Sequence, residues 1–307
     1  MAEPKMAERS LGVGMAGEAA ASHWRGIAFM LLGSALFTFN DALGKWMVAS
    51  VAVGQLLFIR SVSAMIVLLP MVHRAGWREV FVVAQPGRHM LRLAFIVGEV
   101  ACFYLAVRHL PLADVMAVYQ ATPLFVTVLA IPLLGEMVGW RRGIAVGVGF
   151  IGVLLVLQPE AGVFTAPALI ALAGSTAYAL MMIVTRQLRA AGSLSLIVYH
   201  TLAVGLAGLL TLPWGWAEID LLQTAYLALI GAVATIAHMS VNQALRLAPA
   251  AVVVPYTYTS LLWAILLGWL FFADRPTPVM LLGAGIIVAS GLFVFYREQK
   301  TRISLTS

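Results

Sequence analysis

LPLADVMAVYQATPLFVTVLAIPLLGE, residues 110–136, and LAPAAVVVPYTYTSLLWAILLGWLFFAD, residues 247–274, read as two versions of one segment. At an offset of 137, Leu110 meets Leu247, Ala113 meets Ala250 and Tyr119 meets Tyr256. Thr122 then meets Thr259, and Leu124 meets Leu261. Glu136 and Asp274 close the segments after a slip of one residue. A glycine-spaced apolar run follows each, GIAVGVGFIGVLLV from 143 and LLGAGIIVASGLFV from 281. Apolar segments match by chance at single positions. The shared order of Pro or Ala, Tyr, acid and glycine-spaced run is what marks a repeat.

The surrounding chain has the composition of a bilayer protein. Of 307 residues, 62% are hydrophobic and 10% charged, against about 45–50% and about 25% in a soluble domain. A helical crossing needs about 20 mostly apolar residues. Ten stretches qualify: 25–48, 52–73, 88–108, 111–134, 139–158, 163–187, 193–214, 222–246, 249–273 and 277–296. Their apolar runs are continuous, whereas strands of a membrane barrel alternate in and out. The expected fold is therefore an all-α integral membrane protein of ten transmembrane helices in two inverted five-helix repeats. The halves are expected at 24–159 and 160–297, between a flexible tail at 1–23 and a short tail at 298–307. The first residues lack the basic-then-apolar order of a signal peptide. Pro123 and Pro255 are expected to bend the fourth and ninth spans. The glycines of the fifth and tenth spans (Gly143, Gly147, Gly149, Gly152, Gly283, Gly285 and Gly291) are expected to pack helices closely. Trp214 and Trp216 are expected at the membrane interface.

Lysine and arginine set the orientation. With both termini in the cytoplasm, fifteen of the 19 basic residues fall inside, Arg92 and Arg189 among them. Lys45, Arg108 and Arg275 fall outside, and Arg60 is left within a span. The net charge of +6 is thus read as a topology signal, with no nucleic-acid partner expected. The single cysteine, Cys102, excludes an internal disulfide and a multi-thiolate metal site, and is read as core filler. Neither a metal nor a cofactor is expected.

Five spans per half place the halves in opposite orientation, an arrangement known in carriers that rock about a central site. The repeat ends, including LLGEMVGWRRG and WLFFADRPTPVMLLGAG, resemble the EamA-type transporters of the drug/metabolite transporter superfamily. The resemblance covers the chain after the tail. It implies a ten-helix, two-repeat carrier with a central cavity, moving small organic metabolites by alternating access across a bacterial-type inner membrane. Asn40-Asp41 with Lys45, followed by Phe58-x-Arg60, is similar to a subgroup that includes S-adenosylmethionine and riboflavin uptake carriers. Uptake of such a cofactor-like molecule is the alternative to export of an amino acid or other metabolite.

FTFNDALGKW, residues 37–46, puts Asp41 and Lys45 inside the first span, where a charge costs about 2.5–3.5 kcal/mol. At about 1.5 Å per residue, Asp41, Arg60 and Glu99 fall at one level, just outward of the membrane centre. Lys45 lies farther out and can snorkel. One reading pairs Asp41 with Arg60 as a brace between helices. The other lines a cavity with them and leaves Glu99, which has no basic neighbour in its own span, for a substrate amine, a cation or a coupling proton. The candidate substrate-binding set is Asn40, Asp41, Arg60, Glu99, Tyr104, Tyr119, Gln120, Tyr178, His238, Asn242, Tyr256 and Trp263. Singly, each polar or aromatic residue reads as a packed ring or an interhelical hydrogen bond. Together they suit a site that stacks a flat ring and bonds its edges. His200 is weighed with His238 as a group of the inner half.

Gly44-Lys45 lacks the spaced glycine and the following Ser or Thr of a phosphate-binding loop, and HExxH and GxSxG patterns are absent. ATP-driven transport by this chain alone and hydrolytic chemistry are both disfavoured. An intramembrane enzyme and a non-transporting scaffold remain as the contrasting classes. The expected partners are a small-molecule substrate and the lipid bilayer.

Overall fold

The computed structural model describes residues 3–83, 85–135, 139–158, 165–188 and 192–306, with side chains described at 22–83, 85–135, 139–158, 165–188, 192–250 and 252–297. Glu136, Arg189 and the side chains of both tails lie outside the described residues.

Among the described residues every regular element is a helix. The elements are α1 (Glu3–Met47), α2 (Val53–Ala75), α3 (Trp77–Phe81), α4 (Pro86–Val107), α5 (Leu112–Gln120), α6 (Thr122–Leu134) and α7 (Trp140–Leu157). Then follow α8 (Ala166–Gln187), α9 (Ser193–Leu210), α10 (Leu221–Leu247), α11 (Ala250–Val253), α12 (Thr259–Phe272) and α13 (Pro278–Thr306). Ten helical stretches are long and apolar enough to cross a membrane: Ser22–Met47, Val53–Ala75, Pro86–Val107, Leu112–Leu134, Trp140–Leu157, Ala166–Gln187, Ser193–Trp214, Leu221–Leu247, Val254–Phe272 and Pro278–Arg297. Helix is the form that satisfies every backbone group within the span itself, as hydrocarbon requires. Trp214 is 81% exposed at the end of its span, whereas Trp216 turns inward and donates its Nε1–H to Thr211 Oγ1 at 3.0 Å.

The packing repeats between the halves. α1 lies against α10, and α4 lies against α8, which are the same pairing with the halves exchanged. α2 crosses α9 and α7 crosses α13, each helix meeting its own counterpart. Small residues make these crossings close. A Cβ on Gly208 would sit 2.5 Å from the Gly54 carbonyl oxygen, and one on Gly152 would sit 2.7 Å from that of Gly283. Of the glycines expected to pack closely, Gly149, Gly152, Gly283 and Gly291 do so. Gly143, Gly147 and Gly285 have open space where a Cβ would go, because they lie on the helix faces turned away from the bundle.

The fourth and ninth spans are both broken at their prolines. α5 ends at Gln120 and α6 begins at Thr122, with Pro123 in its first turn. Val254–Tyr258, holding Pro255, is a 3-10 stretch between α11 and α12. Proline supplies no N–H and crowds the carbonyl four residues back. That carbonyl, Tyr119 O, takes a bond from Thr122 Oγ1 at 2.5 Å. Its repeat counterpart is present too, Thr259 Oγ1 donating to Tyr256 O at 2.6 Å. The two repeats therefore share a local device as well as a pattern of residues.

Candidate functional site

A cavity of about 510 Å³ lies between the two halves. α1 contributes Phe37, Asn40 and Asp41; α2 contributes Arg60; α4 contributes Arg92, Glu99, Phe103 and Tyr104. Tyr119 and Gln120 come from the end of α5, Tyr178 from α8, His200 from α9, and His238 and Asn242 from α10. The broken ninth span adds Thr257 and Ser260. At the end of the bundle where α9 begins, the cavity reaches Ser193, which is exposed.

Toward the opposite end of the bundle, one helical turn beyond Asp41, α1 carries an ion pair. Lys45 Nζ lies 2.8 Å from Asp274 Oδ2, donates to Leu110 O at 3.1 Å, and stands 4.7 Å from the centre of the Phe272 ring. These contacts tie α1 to the start of α5 and the end of α12. Lys45 is thus a tether between spans, not a snorkelling side chain. Its side chain is 13% exposed, because Asp274 and Leu110 O give it a closer partner than water.

Polar groups at mid-depth are largely bonded to one another. Arg60 Nη1 donates to Tyr104 Oη at 2.8 Å, and Asn40 Nδ2 donates to Asp41 Oδ1 at 3.2 Å. Among the described residues no ion pair joins Asp41 to Arg60. Of the two readings left open for Asp41 and Arg60, the brace is therefore the one the contacts do not bear out. Residue depth fixes a common level but not which way a long side chain turns, and Arg60 turns to the fully buried Tyr104. Arg60 still stands within electrostatic reach of both Asp41 and Glu99. Gln120 Nε2 donates to Thr257 O at 3.0 Å and to Ser260 Oγ at 2.6 Å. Thr257 is the residue 137 positions on, so the two breaks are joined at equivalent points. Tyr119 Oη donates to Glu99 O at 3.2 Å, and the Tyr119 ring stacks edge-on to Phe103 with centroids 5.3 Å apart. His238 stands edge-on to Phe37 at 4.7 Å and to His200 at 5.9 Å.

Ten of the twelve candidates thus line one cavity, and two do not. Tyr256 packs against the cluster of Met30, Ala244 and Ala248. It belongs to the 3-10 stretch, whose three-residue turn rotates side chains away from an α-helical count. Trp263 lies on α12 beyond its cavity-facing first turn and is 37% exposed on the outer surface of the bundle. Sequence reasoning also missed Arg92 as a site residue, counting it only among the basic residues of the cytoplasmic side. It is 6% exposed and lines the cavity. The signal was its position seven residues before Glu99, which puts both on one helix face.

The model of the EamA-like transporter family matches the chain twice, over residues 24–158 and 165–296. The chain belongs to the EamA-like transporter family. It is a multi-pass membrane transporter of the drug/metabolite transporter superfamily, not an enzyme. An S-adenosylmethionine uptake transporter of Rickettsia prowazekii is 25% identical over 288 residues, covering 94% of this chain and 98% of its own. A riboflavin transporter of Vibrio cholerae is 28% identical, covering 90% and 94%. A pseudopaline exporter of Pseudomonas aeruginosa is 25% identical, covering 90% and 97%. A crystal structure superposes with a TM-score of 0.60 at 15% identity over 89% of this chain and 95% of its own, which bears on the fold alone. This EamA-like transporter therefore acts on small-molecule solutes, as its relatives do, while those relatives differ in both solute and direction.

Proposed function

We propose that this protein is a secondary carrier that moves a small organic solute by alternating access, with Asp41, Arg60 and Glu99 at the heart of its binding site. The observation that carries the reading is the cavity of about 510 Å³ that holds these groups and reaches exposed Ser193 at one end, with the Lys45–Asp274 ion pair joining the halves toward the other. Intramembrane ions without a structural pair mark solute or ion pathways by default. With both termini cytoplasmic, as the lysine and arginine bias favours, this is the inward-facing form in a bacterial inner membrane. Phe103, Tyr119 and Tyr178 around the cavity favour a solute with a flat ring. That supports a cofactor-like solute of the kind named for two of the relatives over a small aliphatic one. Glu99 is the group placed to receive a cationic part of the solute or a coupling proton.

The test is solute loss from proteoliposomes loaded with an aqueous bacterial metabolite extract and followed by mass spectrometry. Selective depletion by the wild type, lost in Glu99→Gln, is the expected result. Depletion of nothing by a folded wild type refutes the carrier reading. Equal depletion by Glu99→Gln removes Glu99 from the site.

A further inference from the structure

Arg92 and Glu99 lie two turns apart on the same face of α4, and both reach the cavity. The Arg92 guanidinium is held by neutral acceptors only. Its Nε donates to Thr185 Oγ1 at 2.9 Å, and its Nη1 donates to Leu196 O at 3.3 Å. Among the described residues no carboxylate lies within ion-pair distance of it. Arginine carries five N–H donors, so donors remain uncommitted on a side chain that is 6% exposed. A buried cation lacking a counter-charge is strongly unfavourable. A snorkelling arginine would meet headgroups, but Arg92 is pinned inward between α8 and α9 by these two bonds.

The cavity is therefore divided by charge. The deeper level holds two acids, Asp41 and Glu99, against one guanidinium, Arg60. Nearer Ser193 stands Arg92, with no lining acid beside it, while His200 and His238 stand within electrostatic reach of both Arg60 and Arg92. Each level is short of one opposite charge.

We propose that the cavity selects a dipolar solute, with a basic group held at Asp41 and Glu99 and a carboxylate or phosphate held at Arg92, the two about 10 Å apart from the seven-residue rise of α4. This rests on the carrier reading above and narrows its substrate class. A solute with only one of the two charges leaves one level uncompensated and binds more weakly.

A ladder of linear probes tests it. The full-length protein is purified and its thermal stabilisation measured with γ-aminobutyrate, ω-aminooctanoate, ω-aminooctanamide and octanoate. A ligand that binds the folded state raises apparent stability by mass action. ω-Aminooctanoate, whose extended length matches the separation, should bind at least tenfold tighter than the other three. Arg92→Gln should bring it down to the level of the amide, and Arg92→Lys, which keeps the charge, should retain part of the preference. If Arg92→Gln does not purify folded, the ladder on the wild type decides alone. Four probes alike, none binding, or a preference untouched by Arg92→Gln overturns the inference. Stabilisation by phosphatidylglycerol vesicles that depends on Arg92 and matches that of ω-aminooctanoate would reassign Arg92 to a lipid phosphate and also overturn it. The proteoliposome assay separates the two failures. Selective depletion of solutes that lack an anionic group refutes the dipolar class and leaves the carrier standing, whereas no depletion removes both.

Discussion

Breaking the Lys45–Asp274 tether should open the cavity toward the Lys45 side, and its strength can be worked from the geometry. At the 2.8 Å separation, Coulomb attraction at an effective dielectric of about 20 is about 6 kcal/mol. Both groups give up most of their water to meet, with side chains 13% and 25% exposed, and that desolvation offsets much of the attraction. What remains is of the order of a charge-assisted hydrogen bond, about 1.5–3 kcal/mol. Contacts present only when this end is shut bias the equilibrium by their full differential energy. At about 1.4 kcal/mol per factor of ten, Asp274→Ala should raise the population open on the Lys45 side roughly ten- to hundredfold. Lys45→Ala should do more. Asp114 lies in the same small outer pocket as Asp274 and within reach of Lys45. Without the ammonium, the two carboxylates lose their bonded cation and repel each other, with Arg275 of the same pocket offsetting part of that repulsion.

A buried reporter reads this out. Met116 lines the cavity and is 8% exposed, so Met116→Cys in a Cys102→Ser background reports access to a membrane-impermeant thiol reagent added from the Lys45 side. The labelling rate should rank Lys45→Ala above Asp274→Ala above the parent. The double Ala variant should fall well short of the sum, as a contacting pair requires. Rates within twofold of the parent in all three variants would refute the tether. Additive effects would show that Lys45 and Asp274 act through other partners.

Three further outcomes follow from the same contacts. Tyr104→Phe removes the acceptor of the 2.8 Å bond from Arg60 and should lower stability by about 1–3 kcal/mol, read by chemical unfolding in detergent; no change would mean that Arg60 has another partner. Gly152→Ala drives a methyl against the Gly283 carbonyl, whereas Gly285→Ala enters open space. The first should lower the melting temperature by several degrees and the second should leave it unmoved, and equal effects would refute the α7–α13 crossing. Gln120→Ala removes both bonds to the ninth span and should reduce solute depletion in proteoliposomes more than it reduces melting temperature.

The limits of what the sequence discloses follow from the geometry of a helix. Rise per residue is nearly constant, so counting along each span placed Asp41, Arg60 and Glu99 at one level, and all three meet in one cavity. Counting says nothing of where a side-chain end turns, so the partner of Arg60 proved to be Tyr104 and that of Lys45 proved to be Asp274. Periodicity fails where the helix itself changes, and Tyr256 leaves the site because Pro255 tightens its turn. Position relative to the membrane edge left the cavity role of Arg92 unseen, since six residues into a span a long cation serves topology and a cavity equally well in one dimension. The repeat offset proved the more informative measure. It joins Gln120 to Thr257, and it matches the Thr122–Tyr119 bond to the Thr259–Tyr256 bond. Under the carrier reading proposed above, two broken spans that meet at equivalent points beside a cavity are where the halves exchange roles. Lys45 on α1 and Asp274, two residues past the end of α12, join the halves toward the other end of the bundle, and the carrier cycle proposed above requires that contact to break.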